Sequence, residues 1–268
     1  MENIKAVILD WAGTSVDYGC VGPAKVFVEV FRKWKIDLTV SQARGPMGLA
    51  KRDHTKALLE LPEVKEQWKK AYGKNPTEKD VDKVYSDLEP IMAEIIKDFA
   101  TPIPGAPEFL QEMKKQGIKV GSTTGYVAGM MEKLVPESVK QGFSPDSIVC
   151  SSEVPKGRPA PYMCYLNAVK MGVFPFSQMV KIGDTVADMG EGLNAGMWTI
   201  GLTKSGNEVG LSLEEIEKCD PVVLKESIDK AAAKLKKAGA HYIVEGIWDC
   251  VPVLEEISKR IAAGEKPV

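Results

Sequence analysis

Histidine is scarce, with only His54 and His241 in 268 residues. A histidine-rich metal site is thereby excluded, and any metal held here prefers oxygen ligands. Cysteine is sparse and scattered: Cys20, Cys150, Cys164, Cys219 and Cys250 are odd in number, and no pair has CxxC spacing. The pattern reads as reduced thiols in a cytoplasmic protein. Positive charge is not in excess. The formal net charge of -2 argues against a general nucleic-acid binder, which needs a clustered basic surface. No apolar run reaches membrane-spanning length, and no basic segment followed by an apolar stretch stands near Met1, so neither a membrane partner nor a secretory leader is expected. Internal repeats and low-complexity tracts are also missing. What remains is an ordinary globular composition, 44% hydrophobic and 27% charged, long enough for one large domain or two modest ones.

The stretch Ile4 to Asp17, IKAVILDWAGTSVD, organises the rest. Ala6 to Leu9 is apolar with two β-branched members and ends at Asp10, and Gly13, Thr14 and Ser15 do not continue a strand. This predicts a buried parallel strand that presents a carboxylate in a polar loop. Ligands of open α/β sheets bind at the carboxyl ends of strands, which makes Asp10 a candidate for chemistry. Taken alone, a strand-ending Asp that merely starts a turn is the simpler reading.

After Asp17 the periodicity becomes helical. Ala24, Phe27, Val28, Phe31 and Trp34 form one stripe, residues 50–60 and 63–73 suggest further helices, and Thr77 to Phe99 carries the stripe Val81, Val84, Leu88, Ile91, Ile95 and Phe99, with Pro90 expected to kink it. Pro102, Pro104 and Gly105 mark a return linker. Strands then alternate with helices: strands at Ile118–Ser122, Ser147–Cys150, Val180–Gly183, Trp198–Leu202 and Tyr242–Val244, helices at Phe109–Lys115, Val127–Val135, Pro161–Met171, Val186–Ala195, residues 224–238 and Trp248–Ile261, and a polar connector over residues 204–220. The fold class expected is α/β: a Rossmann-like, doubly wound parallel sheet formed by residues 1–17 and 101–268, interrupted by an all-helical cap domain over residues 18–100.

Four strand ends carry polar groups that a parallel sheet brings to one edge: Asp10; Ser122, Thr123 and Thr124; the loop with Lys156, Gly157 and Arg158; and Asp184, with Asp188 four residues on. Facing carboxylates repel unless a cation lies between them, and a hard divalent ion such as Mg²⁺ fits oxygen ligands alone. Hydroxyls and a guanidinium beside them describe a phosphate site. Asp188 falls in a helix's first turn, where it caps backbone N–H groups or orients a neighbour rather than binding metal itself.

The order D-W-A-G-T, S-T-T-G, an arginine loop and G-D-T-x-x-D resembles the haloacid dehalogenase superfamily, and the helical insertion resembles its cap. The resemblance implies that Asp10 is the nucleophile that attacks phosphorus. It implies that Mg²⁺ is held by Asp10, the backbone carbonyl of Ala12 and Asp184. It further implies that Thr124 grips phosphate and that Arg158 steadies the nucleophile and the phosphoryl oxygens. One departure stands out. Phosphomonoesterases of the superfamily carry a second Asp two residues after the nucleophile to protonate the departing alkoxide, and here that residue is Ala12. Haloalkanoate dehalogenases also lack that acid but need no metal, and Asp184 argues against them.

A leaving group that departs through carbon needs no acid on oxygen. P–C cleavage leaves a carbanion, which requires an electron sink such as an iminium formed by a lysine and an aldehyde. In PMGLAKRDHTKAL a helix would align Met47, Lys51 and His54 or Thr55. Burial against Met47 would lower the Lys51 pKa toward neutrality, and His54 would move protons. On spacing alone, a solvated helix lysine and a surface histidine serve as well. Taken together, however, D-W-A-G-T-x-V-D-Y-G, P-M-G-L-x-K-x-D-H, G-S-T-T-G-Y and G-R-P-x-P-x-M-C-Y closely resemble the phosphonoacetaldehyde hydrolase family, the absent second Asp included. Ser15 and Ala50 differ beside the motifs. That resemblance implies a small phosphonate substrate, a Schiff-base lysine at Lys51 and a homodimer built through the cap. A phosphomonoesterase, a phosphosugar mutase and a non-catalytic phosphometabolite binder remain as alternatives.

Overall fold

β1 (Ala6–Asp10) is buried from end to end and occupies the middle of the sheet. The computed structural model describes residues 1–267, the Lys97 side chain excepted. β1 is flanked by β2 (Lys119–Thr124) on one side and β4 (Met179–Gly183) on the other. β3 (Ser147–Cys150) extends the sheet beyond β2, and β5 (Trp198–Leu202) and β6 (Tyr242–Val244) extend it beyond β4. The order β3-β2-β1-β4-β5-β6 is parallel throughout, and it reverses direction at β1. A strand buried on both faces must be apolar on both, which is why Ala6, Val7, Ile8 and Leu9 run without alternation. Val7, Ile8 and Leu9 each contribute roughly 1.5–3 kcal/mol by leaving water.

Between β1 and the returning helix α6 (Ala106–Lys115), the regular structure is helical: α1 (Val21–Lys33), α2 (Val40–Arg44), α3 (Lys51–Leu59), α4 (Pro62–Tyr72) and α5 (Glu78–Ile95), followed by a short 3₁₀ turn. α5 packs against both α1 and α3. Thr77 and Asp80 form a reciprocal capping box at its start, and Pro90 lies inside one continuous 18-residue helix. The core helices are α7 (Ala128–Lys140), α8 (Tyr162–Met171), α9 (Val186–Asn194), α10 (Leu213–Lys218), α11 (Pro221–Lys237) and α12 (Cys250–Ala262). Among the described residues no helix is long and apolar enough to cross a membrane, and all five cysteines are free.

Three elements differ from the sequence reading. α2 was not expected, although Thr39 and Gln42 close a capping box at its start. The connector of residues 204–220 contains α10, begun by the same device in Ser212 and Glu215. α7 runs through Pro136 instead of ending at Val135. The ring forgoes one hydrogen bond, but Leu134 and Ser138 are buried on either side of it and keep the helix packed.

Candidate active site

The register of the sheet sets the geometry. Asp10 pairs with Thr123, so the carboxylate and hydroxyl stand level at the ends of neighbouring strands. Asp184 follows β4 directly, on the other side of β1. One carboxylate oxygen each from Asp10, Asp184 and Asp188 lies within 4.8 Å of the others, and all three residues are buried. Asp184 is held from two directions: Thr14 Oγ1 donates to Oδ1 at 2.8 Å, and the Asn207 N–H donates to Oδ2 at 2.8 Å. Gly13 leaves the space this needs. Its φ is +87°, and a Cβ there would meet Asp184 Oδ2 at 2.3 Å.

Arg158 enters from the loop after β3. Its Nη2 donates to Asp10 Oδ1 at 2.7 Å and to Thr123 Oγ1 at 2.6 Å, and its Nε donates to Glu191 at 2.9 Å. Beneath it lies Lys181, a fully buried lysine in β4, 3.0 Å from Asp188 and 3.1 Å from Glu191, and donating to Thr123 Oγ1 at 2.7 Å. Arg158 Nη1 is 3.1 Å from Asp188 Oδ1. The other Asp188 oxygen closes a capping box with Thr185 at the start of α9. Asp188 is thus occupied by cations and a helix cap. Asp10 and Asp184 are left to face one another.

The electrostatics follow from these placements. Burial raises the Asp10 carboxyl above its ordinary range, although Arg158 pulls it back. Burial and then the neighbouring Asp10 raise Asp184 far more. Against the upward pull of burial, Arg158 and Lys181 draw Asp188 below its ordinary value. Asp10, Asp188 and Glu191 pair with two cations, Arg158 and Lys181, whereas Asp184 has only the neutral donors Thr14 and Asn207 beside it. Asp184 is the carboxylate left without a cation, and its all-oxygen surroundings with Asp10 suit a hard divalent one.

The helical stretch covers this edge. Asp10, Ala12, Lys51, Thr124, Tyr126 and Arg158 are among the residues around a small cavity of about 20 Å³. Lys51 opens α3 and is only 4% exposed. Its Nζ lies 3.9 Å from Met47 Sδ and 4.7 Å from the centroid of the Tyr126 ring. Burial lowers its pKa to about 8, against the opposing pull of Cys20 and Asp10. Cys20 and Met47 also line the cavity. Thr124 lines it too, and its Oγ1 accepts the Tyr126 N–H at 3.2 Å.

His54 is turned away from the cavity. Its ring stacks on Phe27, with centroids 3.9 Å apart, and Nε2 lies 2.8 Å from the Ala43 carbonyl oxygen. A carbonyl only accepts, so Nε2 carries the proton and the ring is neutral, in keeping with burial and then Lys51 pushing its pKa well below the ordinary value. Nδ1 has no hydrogen-bond partner among the described residues.

Lys181, Glu191, Asn207 and Thr14 escaped the sequence reading. For Lys181 the signal was present, since a lysine in the middle of a strand buried on both faces must have buried counter-ions. Asn207 gave none. Its contact with Asp184 is made by its backbone, from 23 residues away.

This parallel sheet with converging aspartates under a helical insertion defines a haloacid dehalogenase-like hydrolase, and the family model of that description matches residues 4–196. A phosphonoacetaldehyde hydrolase of Nitratidesulfovibrio vulgaris is 50% identical over 264 residues, covering 98% of this chain and 94% of that one. One from Bacillus cereus is 46% identical over 258 residues, covering 96% and 98%. The crystal structure of a phosphonoacetaldehyde hydrolase-like protein from Oleispira antarctica superposes with a TM-score of 0.97 at 36% identity, covering 99% of this chain and 96% of that one. The chain belongs to the phosphonoacetaldehyde hydrolase family.

Proposed function

We propose that the chain hydrolyses the P–C bond of phosphonoacetaldehyde to acetaldehyde and phosphate, with residues 18–100 acting as a cap over a core of residues 1–17 and 101–268. The observation that carries this reading is Lys51: a buried amine with a pKa of about 8 lines the same small cavity as Asp10 and Arg158. Lys51 in its neutral form condenses with the aldehyde, and the resulting protonated imine is the sink for the electrons of the breaking bond. Asp10 attacks phosphorus in line while Arg158 neutralises phosphoryl oxygens and Thr124 hydrogen-bonds them. The P–C electron pair passes into an enamine, and phosphate remains on Asp10 as an aspartyl phosphate. The enamine carbon takes its proton from water, because His54 is turned to Ala43 and Phe27 and held neutral. Water then releases acetaldehyde from Lys51 and phosphate from Asp10.

Asp10, the Ala12 carbonyl and Asp184 would hold Mg²⁺, which when bound supplies charge neutralisation at the phosphoryl oxygens. Asp188 acts on the site through Arg158 and the Thr185 cap. Met47 packs beside the Lys51 amine and keeps water from it. A homodimer and a cytoplasmic setting belong to the same proposal, the first supported by the family resemblance and the second by five free cysteines.

Borohydride added with phosphonoacetaldehyde tests the central step. Irreversible inactivation with a mass gain confined to Lys51 is expected. Continued phosphate release with no adduct on Lys51 overturns the imine, and turnover of simple phosphate esters indifferent to Lys51→Arg points instead to an ordinary phosphatase.

A further inference from the structure

We propose that the same site hydrolyses small acyl phosphates, and does so without forming an imine. The inference rests on the nucleophilic role given above to Asp10, and it follows from what the cavity lacks. Position 12 is alanine, so no carboxyl group stands there to protonate a departing oxygen. Apart from Asp10 and Arg158, the ionisable side chains lining the cavity are Cys20, Lys51 and Tyr126. Burial raises the Cys20 and Tyr126 pKa values well above their usual ones, which makes both poor acids. A departing alkoxide, a strong base, therefore has no proton donor here but the Lys51 ammonium. A departing carboxylate needs none, because it is stable without a proton.

Size and charge narrow the class. The cavity is small, about 20 Å³ as it stands, and two backbones approach closely at its rim: a Cβ on Gly125 would meet the Leu49 carbonyl oxygen at 2.3 Å. So tight a site favours a phosphoryl group with a short tail. Acetyl phosphate has the outline of phosphonoacetaldehyde, with oxygen in place of the methylene and a methyl in place of the aldehyde hydrogen. Lys51 as the ammonium ion lies where the leaving carboxylate forms, against the Tyr126 ring and Met47, and favours it by charge. Asp10 attacks phosphorus, the P–O bond to the acyl group breaks, and its electron pair leaves on acetate. Water then cleaves the aspartyl phosphate. One water is consumed per turnover, and nothing is oxidised or reduced.

The test measures phosphate release from acetyl phosphate and from ethyl phosphate, a similar-sized ester whose leaving group needs a proton. The purified enzyme with Mg²⁺ is used, with phosphonoacetaldehyde as the reference substrate. Acetyl phosphate should be favoured in kcat/KM by at least ~100-fold, the low end of what a general acid contributes. It should inhibit phosphonoacetaldehyde turnover with an inhibition constant equal to its own KM. Both activities should vanish in Asp10→Asn, while Lys51→Arg should lose the phosphonate reaction and keep the acyl phosphate one. Turnover of phosphonoacetaldehyde with no release from acetyl phosphate above the Asp10→Asn background overturns this inference alone, as does ethyl phosphate cleaved equally well or an inhibition constant unequal to KM. Acetyl phosphate turnover without any phosphonoacetaldehyde turnover overturns the reading of the principal function instead.

Discussion

Arg44 and Asn207 hold each other from opposite sides of the cleft. The guanidinium donates to Asn207 Oδ1 at 3.2 Å, and the Asn207 side-chain amide donates to the Arg44 carbonyl oxygen at 3.2 Å. The same guanidinium reaches the carbonyls of Gly19 at 2.7 Å and Gly210 at 2.8 Å. Arg44 ends α2, seven residues before Lys51, and the Asn207 N–H holds Asp184. One clasp therefore ties the segment carrying the amine to the loop that steadies a carboxylate.

Replacing Arg44 with Ala should release that clasp. Loss of its charged hydrogen bonds costs about 2 kcal/mol, or about 4–8 °C in Tm. Steady-state kinetics should show kcat/KM reduced by at least ~10-fold, with borohydride trapping slowed in parallel. A lower Tm with unchanged kinetics would restrict the clasp to a stabilising part.

The pH dependence of trapping follows from Lys51. Its folded pKa of about 8 is below the ordinary 10.5. Imine formation needs the neutral amine, so the trapping rate should rise about 10-fold from pH 7 to pH 9 and then level off. The stability term has a definite sign. Between the two pKa values the unfolded chain binds the extra proton, so this group favours folding increasingly as pH rises through that window and opposes it below pH 8. Lys51→Met should remove the dependence, which denaturant titrations at a series of pH values would reveal.

Magnesium should stabilise the fold more at higher pH. Burial and mutual repulsion raise Asp10 and Asp184 above their ordinary values. Without metal, the contribution of these acids is full below the unfolded carboxylate pKa and is lost as pH rises through the folded values. A divalent cation binds the ionised pair, so its effect on Tm should grow along the same pH range. A concentration about 100 times the dissociation constant corresponds to ~2.7 kcal/mol. Thermal melts with and without Mg²⁺ provide the check, and Asp184→Asn should abolish the difference.

Lys181→Met should be costly although it lies beneath the cavity rather than in it. It leaves Asp188 and Glu191 to share one cation in a fully buried setting, at about 3–5 kcal/mol. Equilibrium denaturation measures this directly. Arg158 then has two acids to satisfy alone and should hold Asp10 less firmly, lowering kcat more than it raises KM.

The fold was readable because strand ends are written locally. The apolar run Ala6–Leu9 stops at Asp10, and Ser147–Cys150, Trp198–Leu202 and Tyr242–Val244 appear with the expected bounds. Chain order and strand parallelism then predict that Asp10, Thr124, Arg158 and Asp184 share one edge, and Lys51 and Met47 come from the helical stretch as the motif implies. Contacts that depend on side-chain direction were not readable. His54 shares a helix with Lys51 yet turns to Ala43 and Phe27, because a flat apolar face completes that packing. Nothing in the residue type marks Tyr126, and only the turn after β2 carries its ring to the Lys51 amine.

Gly48 and Gly125 sit where the helical stretch meets the sheet edge. A Cβ on Gly48 would meet Thr185 Oγ1 at 2.3 Å, just as one on Gly125 would meet the Leu49 oxygen. The two surfaces therefore meet main chain to main chain at Gly125 and across a single hydroxyl at Gly48. A molecule enters or leaves only when the whole seam parts, so the slow event in each cycle is expected to be a rigid-body excursion felt as drag from the surrounding fluid. Thickening the solvent with sucrose would then throttle turnover, even though every bond made or broken lies out of its reach.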